Sequence, residues 1–466
     1  MSSDPGIREP GSIVLASCYE LGHQPLSLAA PAARLRHSGF SPRLLDLSQQ
    51  AFDAELFSRA RLVAISVPMH TALVLGIRLA RRVRALNPAC HISMFGHYAG
   101  LNRASLIGPI ADSTIAGAAE AALVELAEGL GSQQALKVSG LSTIDSSSEP
   151  RIAKPDSFLP DRTGLPGLDS YVSLQTEFGS RRVGYVEATV GCKHHCLHCP
   201  IPPLYKGRFL AVPKVRVLGD IRQLVAMGAE HITFGDPDFL NGPGHARAIV
   251  RELHAEFPEL SYDFTAKIEH LLRHRELLPE FRRTGCRFIV TAVESLSDRV
   301  LFNLDKGHTR ADILEAFELA DRSGIPLRPS LLPFTPWSTL GDYLDLLEWI
   351  GDSNLTGNVD PIQLAIRLLV PAGSALLGKA QFEPYRRDWD RKRLCWNWEH
   401  PDPRMDNLQR EVSELIESDS APRSSPQDMF RAVRERAYQR ADAPPPEWIP
   451  GTPPTAVPRL SEPWFC

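Results

Sequence analysis

The chain has 466 residues, a length that suggests roughly three folding units. Its 51 Lys and Arg residues face 55 Asp and Glu residues, for a net charge of -4, and no long basic stretch offers a surface for nucleic acid. No apolar run approaches the roughly 20 residues that span a bilayer, and the start, MSSDPGIREP, lacks the pattern of a signal peptide. We therefore expect a cytoplasmic, soluble protein with neither a nucleic-acid nor a membrane partner.

Short apolar runs alternate with helical patterns through the first part of the chain. The runs read SIVLASC, RLLDLS, RLVAISV, HISMFG and STIAG, and stretches of helical period such as 26–37 and 71–86 separate them. Strands that alternate with helices predict a parallel sheet with right-handed crossovers. We therefore predict a flavodoxin-like, doubly wound α/β domain over residues 1–130.

A second alternating series follows a segment rich in Ser, Pro and Gly, residues 131–180, which we interpret as a linker. Over residues 181–370 the predicted strands are RVGYVEAT, HITFGD, SYDFTAK, CRFIVTAV, PLRPSLL and VDPIQLAIRLLV. Six strand–helix units favour a full or partial (β/α) barrel, which places chemistry at the carboxyl ends of its strands. An irregular helical extension over 371–440 and a proline-rich tail over 441–466, without regular structure, complete the prediction.

Three of the eight cysteines lie together in the segment ATVGCKHHCLHCP, directly after the first predicted barrel strand. Cys192, Cys196 and Cys199 have C-x3-C-x2-C spacing. Three thiolates on one loop can bind three irons of a four-iron four-sulfur cluster, which leaves the fourth iron without a protein ligand. An open metal position can bind a small molecule, as catalytic zinc sites do. The spacing therefore predicts a catalytic metal cluster.

This spacing resembles the hallmark of the radical S-adenosylmethionine (SAM) superfamily. The resemblance implies that the open iron binds the amino and carboxylate groups of SAM. It also implies that His198, where the superfamily often carries an aromatic residue, lies beside the adenine. Two alternatives follow from the residues alone: a zinc site completed by His194, His195 or His198, and buried thiols without a metal. Zinc sites usually show paired knuckles, which are missing from this segment.

Polar residues end the later predicted strands. In ITFGDPDFLNG, Gly235 and Asp236 lie where the superfamily places a Gly-Gly-Glu type motif that binds the amino group of SAM, and a simple turn is the alternative. The stretch VESLSDRVLFNLDKGHT resembles the corresponding part of radical enzymes with a cobalamin domain, which implies that Glu294 contacts the ribose or methionine part of SAM. Arg367 is expected to pair with a carboxylate of the site, and a structural ion pair is the alternative. Further candidate cofactor-binding residues at strand ends are Lys267, Glu269, Ser295 and Arg328.

The first domain also resembles the cobalamin-binding domain that precedes many radical SAM cores, through ISVPMHTALVLGIRLARRVRALNPACHISMFGHYAG and IADSTIAGAAEAALVELAEGL. There is no Asp-x-His-x-x-Gly signature, so no histidine of that motif can ligate cobalt. His70 or His97 could replace it, and a domain that kept its fold but lost cobalamin is the alternative. The loops expected near the corrin contain Ser66, Pro68, Gly96 and Gly117.

The end of the sequence, SEPWFC, resembles the tail of a group of cobalamin-domain radical proteins with cysteine or selenocysteine followed by Ala-Glu-Pro. We hypothesise that a selenocysteine codon after Cys466 was read as a stop, which would make the protein a selenoprotein. A terminus with an incidental cysteine is the alternative.

Together these resemblances imply a radical SAM enzyme that uses a 4Fe-4S cluster to generate a 5′-deoxyadenosyl radical and, if cobalamin binds, methylates an unactivated carbon. The expected partners are a small-molecule or peptide substrate and an electron donor such as flavodoxin or ferredoxin. One alternative is a radical SAM enzyme without cobalamin that performs rearrangement, oxidation or thioether formation. Another is a non-enzymatic iron–sulfur or zinc protein.

Overall fold

The structure, a computed structural model, describes residues 5–132, 137–418, 425–448 and 457–462 of the chain. Two sheets built mainly from parallel strands, each with its own helices, dominate these residues, and a smaller region follows them. Among the described helices, none is long and apolar enough to cross a membrane. Cys466 lies outside the described residues, so the hypothesis about the tail stays a prediction.

The first domain is built on a six-stranded sheet in the order β2-β1-β3-β4-β5-β6. Its strands are β1 (Ile13–Ser17), β2 (Arg43–Asp46), β3 (Leu62–Ser66), β4 (His91–Phe95), β5 (Ser113–Ile115) and β6 (Leu141–Thr143). The first five are parallel, and β6 pairs antiparallel with β5. Every residue of β1 and β3 is buried, as expected for central strands covered on both faces. The strand order confirms the predicted flavodoxin-like fold.

Helices cover both faces of this sheet. They are α1 (Leu26–His37), α2 (Ala54–Arg59), α3 (His70–Leu86), α4 (His97–Leu101), α5 (Arg103–Leu106) and α6 (Ala119–Ser132). Helix α1 packs against α6 over one apolar cluster, and α2 packs against α3 over another. Strand β6 lies within the segment that we interpreted as a linker. Three residues are too few to show an alternating pattern, so this strand could not be predicted.

The second sheet has the order β14-β13-β12-β11-β8-β7-β17. Its parallel strands are β8 (Gly179–Val186), β11 (His231–Phe234), β12 (Ser261–Ala266), β13 (Cys286–Glu294) and β14 (Leu327–Leu331). Strands β7 (Ser173–Thr176) and β17 (Arg459–Leu460) extend one edge in antiparallel fashion. Within the described chain β14 and β17 are both edges, so the sheet is an open half-barrel and confirms the partial form of the predicted barrel.

Helices follow the strands of the half-barrel. They are α7 (Ile201–Tyr205), α8 (Lys214–Ala226), α9 (Pro243–Glu256), α10 (Ile268–Arg273), α11 (Leu278–Arg283), α12 (Asp298–Asn303), α13 (Arg310–Ser323) and α14 (Leu340–Asp352). Local sequence determines where several of them begin. Thr309 with Asp312, and Thr339 with Asp342, form capping boxes that satisfy the first backbone N–H groups of α13 and α14.

The sixth predicted strand, VDPIQLAIRLLV, does not form. Residues Pro361–Leu364 form a 3-10 helix instead, with Pro361 in its first turn. The side-chain oxygen of Gln363 accepts a hydrogen bond from the backbone N–H of Leu331 over 2.8 Å. This N–H at the edge of β14 therefore has a side-chain partner where a neighbouring strand would have supplied a carbonyl oxygen. Proline cannot donate in a ladder, so the apolar composition of this run was misleading.

The C-terminal region contains the hairpin of β15 (Arg386–Asp390) and β16 (Cys395–Trp398), and the helices α15 (Pro403–Ser418) and α16 (Pro426–Arg440). Arg434 makes two hydrogen bonds to Glu348 of α14, which joins α16 to the half-barrel. Strand β17 lies in the tail for which we predicted no regular structure. Its pairing with β7 shows that two residues between prolines can still join a sheet edge.

Buried charges hold the two domains together. Arg162, in the connecting segment, donates to Asp220 of α8 over 2.8 and 3.0 Å and to Gln24 of the first domain over 2.8 Å. Arg216 of α8 donates to Glu120 of α6 over 2.8 Å. Because Arg162 and Arg216 are buried and paired, these contacts hold the first domain against the half-barrel.

Candidate active site

The three cysteines lie on the loop after β9 (Thr189–Gly191), at the carboxyl edge of the half-barrel, and β9 pairs with β10 (Phe209–Ala211) beside them. Gly191, directly before Cys192, has φ of +79°. A Cβ at Gly191 would lie 2.4 Å from the carbonyl oxygen of Arg208. Only glycine fits this position, so the Gly-Cys pair allows β9 to turn directly into the cysteine loop.

The thiols share an apolar, water-poor environment. Cys192 and Cys196 are buried and Cys199 is half-buried. Burial raises the pKa of Cys199 to about 12, with further contributions from the two other thiols, and burial also raises the pKa of Cys192. Three neighbouring thiols that disfavour one another's ionisation need cationic charge between them, which the irons of a cluster supply. This donor set therefore fits a four-iron four-sulfur cluster.

Glu294, the last residue of β13, lies beside this loop. Its φ of +62° is unusual for a residue other than glycine, and such strained residues cluster at functional sites. Its Oε1 lies 3.0 Å from Nζ of Lys306 and 3.3 Å from Nε2 of His198. Burial acts to raise the pKa of Glu294, but Lys306 and His198 outweigh it and hold that pKa well below its ordinary value. The structure thus brings His198 and Glu294 together around a buried ammonium group.

The end of β11 packs tightly against Tyr185. A Cβ on Gly235 would lie 1.9 Å from the Tyr185 hydroxyl oxygen, so this position requires glycine. Asp236 is buried and accepts hydrogen bonds from the backbone N–H of Ala188 over 3.0 Å and from the hydroxyl of Thr189 over 2.5 Å. Burial raises the pKa of Asp236 to about 6, although these bonds act to lower it. Both oxygens of Asp236 therefore position the strand that leads into the cysteine loop.

Lys267 and Glu269, after β12, connect the cysteine loop to the segment that carries Lys306. Lys267 donates to the carbonyl oxygen of Lys306 over 2.6 Å and lies 3.9 Å from Glu269. Glu269 pairs with Arg273 over 2.6 Å, and its Oε2 lies 3.6 Å from Nδ1 of His194. These two predicted residues therefore lie at the same mouth as the cysteines.

Two other predicted residues have partners elsewhere. The Ser295 hydroxyl accepts from the backbone N–H of Ser297, which stabilises the turn before α12. Arg328 lies early in β14, three positions before Leu331, which pairs with Glu294 at the carboxyl edge. It donates to Asp360 over 2.7 Å and so is not brought to the cysteine loop. Arg367 makes a structural ion pair, 2.5 Å from Asp406 in the C-terminal region, which is the alternative that the sequence left open.

A cleft of about 1620 Å³, counted with its open mouth, lies between the carboxyl edge of the first sheet and the half-barrel. Helix α8 and the end of β8 form its second wall. Gly117 has φ of +83°, and a Cβ there would lie 2.1 Å from the carbonyl oxygen of Arg151, so the backbone passes very close to its neighbour. All four residues predicted from the cobalamin resemblance line the cleft, namely Ser66, Pro68, Gly96 and Gly117.

Burial shifts several titratable groups of the cleft towards their neutral forms, and the charged Arg216 in its lining is paired with Glu120 and Asp156. Burial raises the pKa of Glu20 to about 7 and that of Glu187 to about 8, so at neutral pH Glu187 is mainly a carboxylic acid that can donate a hydrogen bond. Burial lowers the pKa of His97, which also lines the cleft, to about 4. His70 instead contacts the carbonyl oxygen of Arg393 over 2.5 Å. Neutral donors beside close-packed glycine backbone fit the amide-rich rim of a corrin.

Several residues of these sites were missed from the sequence. Lys306 lies within the quoted stretch NLDKGHT, where a single lysine gives no signal of burial. Asp238 and His270 follow two different strands and lie near His194 only in the folded chain. Tyr185 and Glu187 flank the end of β8, and their polarity at a strand end was the one available signal.

Comparison with known proteins gives findings consistent with the cysteine loop and the half-barrel described above. A model of the radical SAM superfamily matches residues 186–350, which contain the cysteine loop and most of the half-barrel. Residues 186–350 form a radical SAM domain. Such a domain uses a 4Fe-4S cluster and SAM. The match ends before the C-terminal region and does not include the first domain.

The curated relatives match little more than a third of this chain. The ribosomal protein uS12 methylthiotransferase RimO of Porphyromonas gingivalis is 27% identical over 190 residues, which cover 37% of this chain and 42% of that protein. RimO of Clostridium botulinum (strain Loch Maree) is 23% identical over 185 residues, which cover 37% of this chain and 40% of that protein. The chain therefore spans less than half the length of these relatives.

Solved structures share a larger part of the architecture. The cobalamin-dependent SAM radical enzyme OxsB, with aqua-cobalamin bound, has a TM-score of 0.69 at 15% identity and covers 92% of this chain and 71% of its own. The radical SAM methyltransferase TsrM of Kitasatospora setae, with tryptophan and a SAM analogue bound, has a TM-score of 0.59 at 18% identity and covers 72% and 70%. At these identities the likeness shows a shared fold, a first domain joined to a radical SAM domain.

Proposed function

We propose that the chain is a radical SAM enzyme that holds a 4Fe-4S cluster on Cys192, Cys196 and Cys199 and binds SAM beside it. The observation that carries this proposal is the position of three thiols, two buried and one half-buried, at the carboxyl edge of a parallel half-barrel, next to the buried Glu294–Lys306 pair. The match of residues 186–350 to the radical SAM superfamily supports it. A zinc site on the same thiols does not account for the ionised Glu294.

When bound, the cluster supplies the electron that cleaves SAM into methionine and a 5′-deoxyadenosyl radical, and cobalamin supplies a carrier for a methyl group. Glu294, kept ionised by Lys306, presents a carboxylate oxygen to the hydroxyl or ammonium donors of SAM. His198 lies against the same carboxylate, where it can contact the adenine. Asp236 holds the strand before the cysteine loop and thereby orients the thiols.

The cleft supports a cobalamin-dependent reaction, which we propose to be methylation of an unactivated carbon. Tyr185 packs on Gly235 at the mouth of the half-barrel and also lines the cleft, so the two sites share a wall. In the proposed domain division, residues 1–130 bind cobalamin and residues 181–370 bind SAM. We propose a small-molecule or peptide substrate, and a one-electron donor such as flavodoxin or ferredoxin in the cytoplasm.

Anaerobic reconstitution with iron, sulfide and cobalamin tests the proposal. We expect the electron paramagnetic resonance signal of a reduced four-iron cluster, a corrin absorption band, and slow formation of 5′-deoxyadenosine from SAM. Cys196→Ala should abolish the cluster signal and 5′-deoxyadenosine, whereas Cys90→Ala, a buried cysteine of the first domain, should keep both. Intact SAM in the presence of a reduced cluster would contradict the proposed radical SAM activity. A missing corrin band would contradict only the proposed role of cobalamin.

A further inference from the structure

A second group of metal-binding side chains lies beside the cysteine loop, and the proposed reaction does not use it. His194 belongs to the loop, Asp238 follows β11, and His270 lies in α10, after β12. One ligand atom from each residue lies within 4.8 Å of the other two. Oδ2 of Asp238 is 3.4 Å from Nε2 of His194 and 2.7 Å from Nδ1 of His270. Three elements that are distant in sequence thus converge on one point.

These three atoms are buried and have only one another as close polar partners within the described residues. Asp238 is 0% exposed and His270 is 2% exposed. Despite the short distances, within the described part of the chain none of the three atoms has a partner with hydrogen-bond geometry, and the contacts count as ion pairs only when the histidines are protonated. The other carboxylate oxygen of Asp238 accepts from the backbone N–H of Leu240 over 3.0 Å, which fixes the carboxylate and directs Oδ2 towards the histidines. A cation between them would satisfy all three atoms.

The type and spacing of these donors favour a transition-metal ion. Two imidazoles and one carboxylate are a common ligand set for zinc, whereas calcium and magnesium prefer oxygen donors. At zinc–ligand distances of about 2.0–2.1 Å, tetrahedral ligands lie about 3.3 Å apart. The distance between His194 and Asp238 is 3.4 Å, close to this spacing, and the 2.7 Å between His270 and Asp238 would have to lengthen on metal binding. The other ring nitrogen of His194 lies 3.6 Å from Glu269. Metal-bound histidines commonly direct that nitrogen to a carboxylate.

We infer that His194, Asp238 and His270 bind a divalent transition-metal ion of the zinc class, separate from the iron–sulfur cluster. One ligand comes from the cysteine loop and two come from the ends of barrel strands. The ion therefore fixes the loop to the half-barrel at a second point, in addition to the hydrogen bonds of Asp236. The inference depends on these residues and not on the proposed reaction.

Zinc binding to the full chain tests the site. Protein that carries its iron–sulfur cluster, so that the thiolates are occupied, is dialysed against Zn²⁺, and bound zinc is counted by elemental mass spectrometry. X-ray absorption at the zinc edge then identifies the ligands. We expect one zinc per chain, bound by nitrogen and oxygen without sulfur. If the cysteines take up no iron, the same measurement is made on a variant with all three changed to alanine, which separates failure of the proposed function from failure of this site.

Two variants and a matched control make the test decisive. Asp238→Asn keeps the oxygen that caps Leu240 but replaces the ligating oxygen with an amide NH₂, and His270→Gln removes a second ligand. Each should weaken zinc binding at least about tenfold. His274→Gln changes a neighbouring histidine, whose ring lies 5.8 Å from that of His270, and should bind zinc like the wild type. Equal zinc retention in the wild type and both ligand variants, or sulfur in the zinc shell, overturns the inference.

Discussion

The mouth of the half-barrel and the cleft beside the first domain are both lined by predicted cofactor-binding residues, but their chemistry differs. The mouth concentrates charge, with the ionised Glu294 beside the ammonium of Lys306. In the cleft the charged Arg216 is paired with Glu120 and Asp156, and burial favours the neutral acid form of Glu187. A charged mouth suits the zwitterionic SAM, whereas paired charges and a neutral acid suit the uncharged amide rim of a corrin. A mutation at the mouth therefore removes an ion pair. A mutation in the cleft changes its shape or removes a neutral hydrogen-bond donor.

The largest effect is expected from removing charge at the mouth. Lys306→Met leaves Glu294 buried without its cation, which should cost about 3–5 kcal/mol of unfolding free energy. Formation of 5′-deoxyadenosine should fall at least about a hundredfold, because Glu294 loses both its ionised state and its position. Chemical denaturation and product assay measure the two effects.

Two further variants distinguish this explanation from general damage. The double variant Lys306→Met/Glu294→Gln removes both charges, so it should recover most of the stability but none of the activity. Arg222→Met removes one partner of an exposed pair with Glu256 and should change neither quantity measurably. A double variant no more stable than Lys306→Met alone would show that the buried charge is not the cause.

In these two regions, features formed by residues close together in the sequence could be predicted. Contacts between residues far apart in the sequence could not. Every strand predicted in the first domain forms, and α1 (Leu26–His37) has the predicted bounds, because a local hydrophobic period determines such elements. The cysteine motif was readable because its three ligands lie within eight positions. The partners of Glu294 and Asp238 come from other loops, so their pairing appears only when parallel strands align their carboxyl ends.

The predicted site residues that differ from the structure do so for the same reason, because their partners lie in other segments of the chain. Arg328 was predicted to reach the site because it lies on a strand, but it lies too early in β14 and pairs with Asp360. The predicted contact of Asp236 with SAM stays a prediction. In the structure both oxygens of Asp236 accept hydrogen bonds from the strand before the cysteines. Composition identifies a polar residue near a strand end. It does not identify which neighbour takes its hydrogen bonds.

A smaller effect is expected from filling the cleft. Ala118→Phe adds a ring beside Gly117 in the wall of the cleft, so cobalamin should bind at least about tenfold more weakly because the corrin loses space. Equilibrium dialysis with hydroxocobalamin measures this. The iron content of the reconstituted protein should stay the same, since the cysteines lie on the half-barrel. Ala54→Phe, the same change at an exposed position of α2, is the control, and equal cobalamin binding in both variants would contradict the assignment of the cleft.

The smallest effect concerns the neutral acid Glu187. Burial raises the pKa of Glu187 to about 8, with Asp236 and Glu20 adding to the shift and the Tyr185 hydroxyl and Arg216 opposing it. The folded protein therefore keeps a proton that the unfolded chain releases near pH 4.5. This contribution to stability is complete below that pH and is lost as the pH rises towards 8, with a slope of at most about 1.4 kcal/mol per pH unit.

Glu187→Gln replaces the neutral acid with a neutral amide of the same shape, so it removes this pH dependence. Cobalamin-free variant and wild type should have similar Tm values at pH 5, and the variant should have the higher Tm at pH 8, by a few degrees. Thermal unfolding across that range measures the difference. Glu256→Gln, on an exposed carboxylate, should leave the pH dependence of Tm unchanged. If the curves of Glu187→Gln and the wild type run parallel, Glu187 is ionised in the folded protein, and the cleft does not contain the neutral acid proposed for it.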